Sequence, residues 1–320
     1  MPDRTVRVCT VTLNPAIDLT AGMRDFRPGR VNRIAWDRAD PGGKGVNVAS
    51  FLADFGVGVS VTGLMGLENA RPFADLFAQK GIADRFIGLA GRTRTNVKLI
   101  DEAAAGEAAV TDLNFPGPTA TPAALEEVGA TLDALAADHE VFVLSGSVPA
   151  GVEDDVYARL IARLKGRGRK VILDASGAPL RHGVGAGPAL IKPNIHELRE
   201  LVGRVGDDPA EVAAAARDLM DRGVGSVVVS LGGEGAVLVE PGEAVHAAPL
   251  SVAVASTVGA GDAMVAGLVL GLLRGLSLAD RARLATAFSA AALTTLGPRL
   301  PPPAEVEARM SDVRITPLPR

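Results

Sequence analysis

The chain has 320 residues, 48% of them hydrophobic and 22% charged, a globular composition that excludes a disordered scaffold. Its formal net charge of −4 argues against a nucleic-acid partner, which asks for a basic face, but leaves room for a small anionic ligand at a local cluster of cations. Cys9 is the single cysteine, so no intrachain disulfide or cysteine zinc cluster can form, and at 3% aromatic residues the core must be built from Ala, Val and Leu.

Val6–Leu13 reads as the first strand, with no signal peptide ahead of it. The longest apolar run, 263–273, is too short to span a bilayer, so the expected compartment is the cytoplasm and no membrane partner is expected. Asn14-Pro15-Ala16-Ile17-Asp18 ends the strand. Asp18 there is either a turn acid or a carboxylate placed to accept hydroxyl hydrogen bonds. Residues 18–40 and 92–115 mix polar and apolar positions without a helical period. They are read as strands of a small sheet lying over the main body, a lid. Pro41-Gly42-Gly43-Lys44-Gly45-Val46-Asn47 is a glycine-rich turn running into a helix. It lacks Walker A spacing, so it is not a P-loop. Gly43 could let a ligand approach the backbone, with Lys44 facing a phosphate and Asn47 a hydroxyl; a plain glycine turn with a solvated lysine is the alternative. A second helix is expected near Arg71–Gln79. Arg94, Asn96 and Lys98 are spaced by two and share one strand face, which suits a phosphate or polyol, or equally a charged sheet edge.

From residue 141 onward, short branched runs alternate with helical ones. Val141–Leu144, Val171–Leu173, Ala189–Ile191 and Val227–Leu231 read as buried parallel strands, with helices over 153–166 and 209–222 between them. Alternation of this kind predicts a mostly parallel α/β sheet covered on both faces, with ligands outside the carboxyl ends of its strands. Lys192-Pro193-Asn194-Ile195-His196-Glu197 closes a strand and opens a helix. Asn194 and Glu197 have capping-box spacing, or could stand beside a hydrated Mg²⁺. The four histidines have no metal spacing. Ser230-Leu231-Gly232-Gly233 follows a strand, where the glycines leave room for a nucleotide or simply form a hairpin. Ser256-Thr257-Val258-Gly259-Ala260-Gly261-Asp262 brings bare backbone N–H groups to the start of an apolar helix, a natural anion site. Asp262 is either that helix's cap or a catalytic base. Pro301-Pro302-Pro303 marks a turn before the last helix, and the tail after 311 is read as a short terminal segment.

The order of these motifs carries more than any one of them. Asn-Pro-Ala-x-Asp, Gly-Gly-Lys-Gly-x-Asn, Thr-Arg-x-Asn-x-Lys, Lys-Pro-Asn-x-x-Glu and Ser-Thr-Val-Gly-Ala-Gly-Asp together resemble the PfkB/ribokinase family of sugar kinases, from Thr10 to about residue 297. Within it, 91–99, 111–115, 145–149 and 173–176 look most like the bacterial 1-phosphofructokinase branch. Kinases of tagatose 6-phosphate and of fructose 6-phosphate share much of this pattern. The resemblance implies one ribokinase-like domain with a β lid used for dimerisation, ATP as cosubstrate and Mg²⁺ as cofactor. It implies Asp262 as the base that deprotonates the sugar hydroxyl, and the Gly259, Ala260 and Gly261 amides as an anion hole. Asp18, Gly43, Asn47 and Asn96 would hold the sugar, and Lys44 and Arg94 the phosphate it already carries. Arg30 would reach a neighbouring subunit's site. Lys192, Ser230, Gly232, Gly233, Thr257 and Val258 would line the nucleotide site, and Asn194 and Glu197 would order the Mg²⁺ shell. The resulting expectation is phosphorylation of fructose 1-phosphate, with the other two sugar phosphates as alternatives. A non-catalytic sensor would be expected to have lost its base, and a dehydrogenase would want Gly-x-Gly-x-x-Gly after the first strand, where 12–18 has no glycine.

Overall fold

The computed structural model describes residues 7–104 and 110–319. In chain order it begins β1 (Arg7–Thr12), β2 (Ala16–Met23), β3 (Trp36–Gly42), α1 (Lys44–Asp54), β4 (Gly58–Gly66), α2 (Arg71–Lys80) and β5 (Ala83–Leu89). Next come β6 (Arg94–Asp101), β7 (Val110–Leu113), α3 (Pro122–Leu135), β8 (Val141–Ser145), α4 (Val156–Lys165), β9 (Lys170–Asp174), α5 (Gly177–Gly185) and β10 (Leu190–Ile191). The remainder is α6 (Ile195–Val202), α7 (Pro209–Asp221), β11 (Val227–Ser230), β12 (Ala236–Glu240), β13 (Glu243–Ala247), α8 (Ala260–Leu273), α9 (Leu278–Leu293), α10 (Pro303–Ala308) and β14 (Ile315–Pro317).

The central sheet has ten strands in the order β14-β13-β12-β11-β10-β9-β8-β1-β4-β5. It is parallel from β11 to β5, and its other end is closed by three antiparallel strands. Successive side chains of a strand point to opposite faces, and the core divides accordingly. Val143, Ile172, Val228 and Leu238 pack with α1, α2, α8 and α9. Their neighbours Leu144, Leu173, Val229 and Val239 pack with α3, α4 and α7. Both faces are covered, so the strands read as continuous apolar runs. Each such side chain, fully buried, contributes about 1.5–3 kcal/mol relative to exposure.

The four-stranded second sheet, in the order β3-β2-β6-β7, grows from the same end of the molecule. β2 and β6 run parallel, placing Asp18 beside Asn96, while β3 returns antiparallel and sets Asp40 on the other side of Asp18. This is the sheet expected over 18–40 and 92–115, with strands starting at Ala16 and ending at Leu113; positions 105–109 of that expectation lie outside the described residues. The tail expectation is corrected. Ile315–Pro317 is an edge strand on β13, its proline tolerated because an edge strand has one unpaired side. β4 and β5, for which no strand was expected, complete the parallel array.

Candidate active site

The carboxyl ends of β1, β8 and β9, the starts of α1 and α8 and the near ends of β2 and β6 enclose a cavity of about 300 Å³. Asn14, Asp18, Gly43, Lys44, Asn47, Arg94, Asn96, Ser147, Gly259 and Asp262 are among the residues that line it. Residues separated by up to 248 positions in the sequence thus face one space, and all but two of them, Asn14 and Ser147, were expected at a site.

Asp262 is not a helix cap. Gly259 is the N-cap of α8, in the left-handed conformation at φ +80, and no side chain caps the helix. A non-glycine residue there would carry backbone strain. The first N–H groups of α8 therefore have no intrahelical acceptor, and the helix dipole adds partial positive charge at the same point. Asp262 sits one turn in, 7% exposed, and its Oδ2 accepts a 2.8 Å hydrogen bond from Asn47 Nδ2. Burial pushes its carboxyl up to about 6, against the opposing pull of Lys44. A buried carboxylate with one oxygen held by an amide and a proton affinity near neutrality is suited to general-base work.

Close to Asp262 lies an ionic cluster. Lys44 Nζ donates to both carboxylate oxygens of Asp174 at 3.2 Å, and Lys192 Nζ lies 3.4 Å from Asp174 Oδ1. Asp174 was not anticipated as a site residue; an acid at the end of a buried strand was the available signal. Lys192 is 5% exposed, and its ammonium flanks the start of α8, where a Cβ on Gly261 would meet it at 3.6 Å. Gly45 is required by close approach: a Cβ there would lie 2.4 Å from Thr12 Oγ1, so α1 could not seat against β1.

The sheet side of the cavity forms a second cluster. Asn96 Nδ2 donates to Asp18 Oδ1 at 3.1 Å, and burial raises the Asp18 carboxyl above its ordinary value. Arg94 donates to the Asn14 carbonyl at 3.1 Å and reaches Ser147 Oγ at 3.5 Å, while Asn14 Nδ2 donates to that same hydroxyl at 3.1 Å. Beyond Asp18, a further cavity of about 220 Å³ runs past Lys98, which pairs with Asp112 at 3.1 Å. Asp40, 6% exposed, pairs with Arg38 at 2.9 Å and Arg299 at 3.0 Å, tying β3 to the loop after α9.

Lys192, Ser230, Gly232, Gly233, Thr257 and Val258 are spread along the neighbouring strand ends. Ser230 N donates to the Pro193 carbonyl at 3.1 Å, which brings β11's end beside 192–194. Gly232–Glu234 is an exposed single turn of 3-10 helix within the β11–β12 hairpin, so the hairpin reading of these glycines holds. Val258 lines both cavities, and Thr257 is exposed. Asn194 and Glu197 do form a capping box: Glu197 N donates to Asn194 Oδ1 and Asn194 N to Glu197 Oε2, each at 2.9 Å. Among the described residues, no group of three or more His, Cys, Asp or Glu side chains converges on a metal position. Arg30 stands exposed on the β2–β3 loop and is not among the residues lining the cavity. No helix among the described residues is long and apolar enough to cross a membrane.

The chain is similar in sequence and fold to known proteins. The profile of the "pfkB family carbohydrate kinase" matches residues 11–305. A 1-phosphofructokinase of Rhodobacter capsulatus is 51% identical over 98% of this chain and 99% of its own. A 1-phosphofructokinase of Vibrio cholerae is 42% identical over 92% and 91% respectively. The crystal structure of phosphofructokinase-2 from Escherichia coli in complex with substrates and products superposes with a TM-score of 0.87 at 29% identity, covering 96% of this chain and 99% of that one. The chain belongs to the pfkB family of carbohydrate kinases, with its ribokinase-like α/β fold, and is a phosphotransferase.

Proposed function

We propose that this chain transfers the γ-phosphoryl group of ATP to fructose 1-phosphate, giving fructose 1,6-bisphosphate. The observation that carries the reading is one cavity with a buried base and an uncapped helix N-terminus at one end and the Arg94 guanidinium at the other. A sugar phosphate lying between them has its phosphate on Arg94 and Ser147 and its free primary hydroxyl toward Asp262. Asp18, Asn96, Asn47 and the backbone at Gly43 hold the ring hydroxyls. Asp262 takes the hydroxyl proton as the new O–P bond forms and the bond to the ADP oxygen breaks. The Gly259, Ala260 and Gly261 amides bind the charge on the phosphoryl oxygens in transfer, where fixed dipoles in a dry site are most effective.

Lys192, Ser230, Gly232, Gly233, Thr257 and Val258 form the shelf for ATP. Mg²⁺ prefers a few carboxylate contacts, phosphate oxygens and its own waters to a protein cage, and the donor set here fits that habit. Asn194 and Glu197 would hold it; Glu197 Oε2 accepts from Asn194 N in the capping box, and its charge is felt at Lys44. When bound, the ion neutralises charge on the phosphates. The proposed compartment is the cytoplasm, and the small sheet acts as a lid of one kinase domain that pairs with a second subunit, bringing Arg30 toward the neighbouring site.

The relatives named 1-phosphofructokinase favour fructose 1-phosphate over tagatose 6-phosphate and fructose 6-phosphate. Steady-state kinetics on the three sugar phosphates test this. The expected kcat/KM is highest for fructose 1-phosphate by at least tenfold; a preference for either 6-phosphate overturns the substrate assignment.

A further inference from the structure

We propose that Asp174 is a positioning residue that yokes Lys44 and Lys192 into one cationic cradle for the phosphoryl group in transfer. Lys44 then serves the reacting end of the cleft, and Arg94 anchors the phosphate that the substrate already carries. This rests on the kinase reading above and revises the expectation that Lys44 and Arg94 form a single clamp.

Three elements converge to make the yoke: Asp174 ends β9, Lys44 opens α1 and Lys192 follows β10. The Asp174 side chain is 0% exposed, and both lysines approach it, at 3.2 and 3.4 Å. Burial alone would raise its carboxyl, but Lys192 and Lys44 hold it below the ordinary range, so it is a fixed negative charge. Two ammonium groups brought this close repel each other in a poorly solvated site, and the carboxylate between them offsets that repulsion. The trio keeps one net positive charge. Lys44, with its side chain 39% exposed, presents it to the cleft, while Lys192 flanks the uncapped start of α8.

The charges also sort into two poles. Lys44 is held by Asp174 and senses Asp262 and Glu197. Arg94, whose guanidinium is pulled down by burial, senses Asp18 and bonds Asn14. No hydrogen bond joins Lys44 to the Arg94 side among the described residues. An ammonium bound to the carboxylate beside the base is placed for the group being transferred.

Four variants test the proposal on whichever sugar phosphate the wild type turns over best. Asp174→Asn and Lys44→Met should each lower kcat about 10- to 100-fold and change KM for the sugar phosphate less than about threefold. Arg94→Ala should do the reverse, raising KM about 10- to 100-fold. The pair Asp174→Asn/Lys44→Met should lose little more activity than the worse single variant, because both remove one function. The pH profile gives a readout that a loosened fold would not mimic. Asp262 is faced by Lys44 and Asn47 from α1, Asp174 from β9 and Lys192 from the end of β10. Losing Asp174 should move the acid limb of kcat/KM to lower pH, and losing Lys44 should move it to higher pH.

A KM rise with intact kcat in Lys44→Met, or limbs that do not part, overturns the proposal. So does restoration of Asp174→Asn activity by excess Mg²⁺, which would put the carboxylate in the metal's service. A readout without substrate completes the test. Asp174→Asn leaves the buried Lys192 and the half-exposed Lys44 without their shared counter-charge and should lower Tm, and adding Lys44→Met should recover part of the loss. No recovery rejects the yoke whatever the enzyme's substrate proves to be, whereas a wild type inactive on all three sugar phosphates rejects only the substrate reading.

Discussion

Asp262 takes up its proton near pH 6 because burial penalises the charged form more than Lys44 and Asn47 favour it. The base form is therefore populated above about pH 6, and kcat/KM should fall about tenfold per pH unit below that. Asp262→Asn should lose about 10²–10⁴-fold in turnover while still binding both substrates. Stability should move the other way. The carboxyl titrates at 3.8 in a model peptide and at about 6 when folded, so folding favours its protonated form. That contribution is full below about pH 4 and is lost as pH rises through 6, leaving a cost of about 2–4 kcal/mol above it. The Asn variant should thus melt higher than wild type at pH 8, with the difference gone near pH 4. Equal melting at pH 8 would show that Lys44 fully offsets the burial. Most of this residue-scale picture was legible in the sequence, since Asp18, Lys44, Asn47, Arg94 and Asp262 stand in short motifs. Asp174 was not. Its partners come from the start of α1 and the residue after β10, and only the folded chain brings them to the end of β9.

α8 is apolar on every face, and residues 262–271 are all buried, as a helix central to a core must be. Leu268 is 1% exposed among the side chains of that layer. Leu268→Ala should cost about 2–5 kcal/mol through lost burial plus the cavity it leaves, read as a lower Tm with KM values unchanged. If Tm stayed within a degree of wild type, α8 would not be the central packing element described. Elements with strong local signals were legible: α6 from its capping box and α7 from the spacing of Val212, Ala216 and Leu219 ahead of Gly223. β4 was not, because Ser60, Thr62 and Gly63 interrupt its apolar run. β6 was legible as a strand from the two-residue spacing of Arg94, Asn96 and Lys98, but not which of its faces is covered. All eight of its residues are half-buried, so neither face is the core face that an alternating sequence suggests.

At the scale of the whole molecule, the small sheet leaves apolar surface uncovered. Val31 is 88% exposed, and Ile34, Val110, Leu113 and Phe115 are exposed with it. Val97 and Leu99 on β6 are half-buried. The outer rim of the sheet, rather than β6, is therefore the surface the proposed dimer would use. A two-fold dimer is the common way to cover such a patch. Light scattering should give twice the 32.8 kDa chain mass, and Val31→Asp with Phe115→Asp should shift it toward the monomer. A wild type that is monomeric at micromolar concentration would reject the pairing. The joints of this sheet carry a mechanical consequence. β2 leaves the main body at Ala16, β3 rejoins it at Gly42 and β6 departs at Arg94, so Asp18, Gly43, Lys44, Arg94 and Asn96 all sit within a few residues of a pivot. The load lies beside the fulcrum. A rotation that displaces the far tip around 24–35 by many ångströms moves these contact atoms by only a fraction as much. Acting as the proposed lid, the arm would swing wide for entry and exit while the contacts that hold the substrate stayed nearly in place, and a ligand gripping the short end would hold the whole arm down.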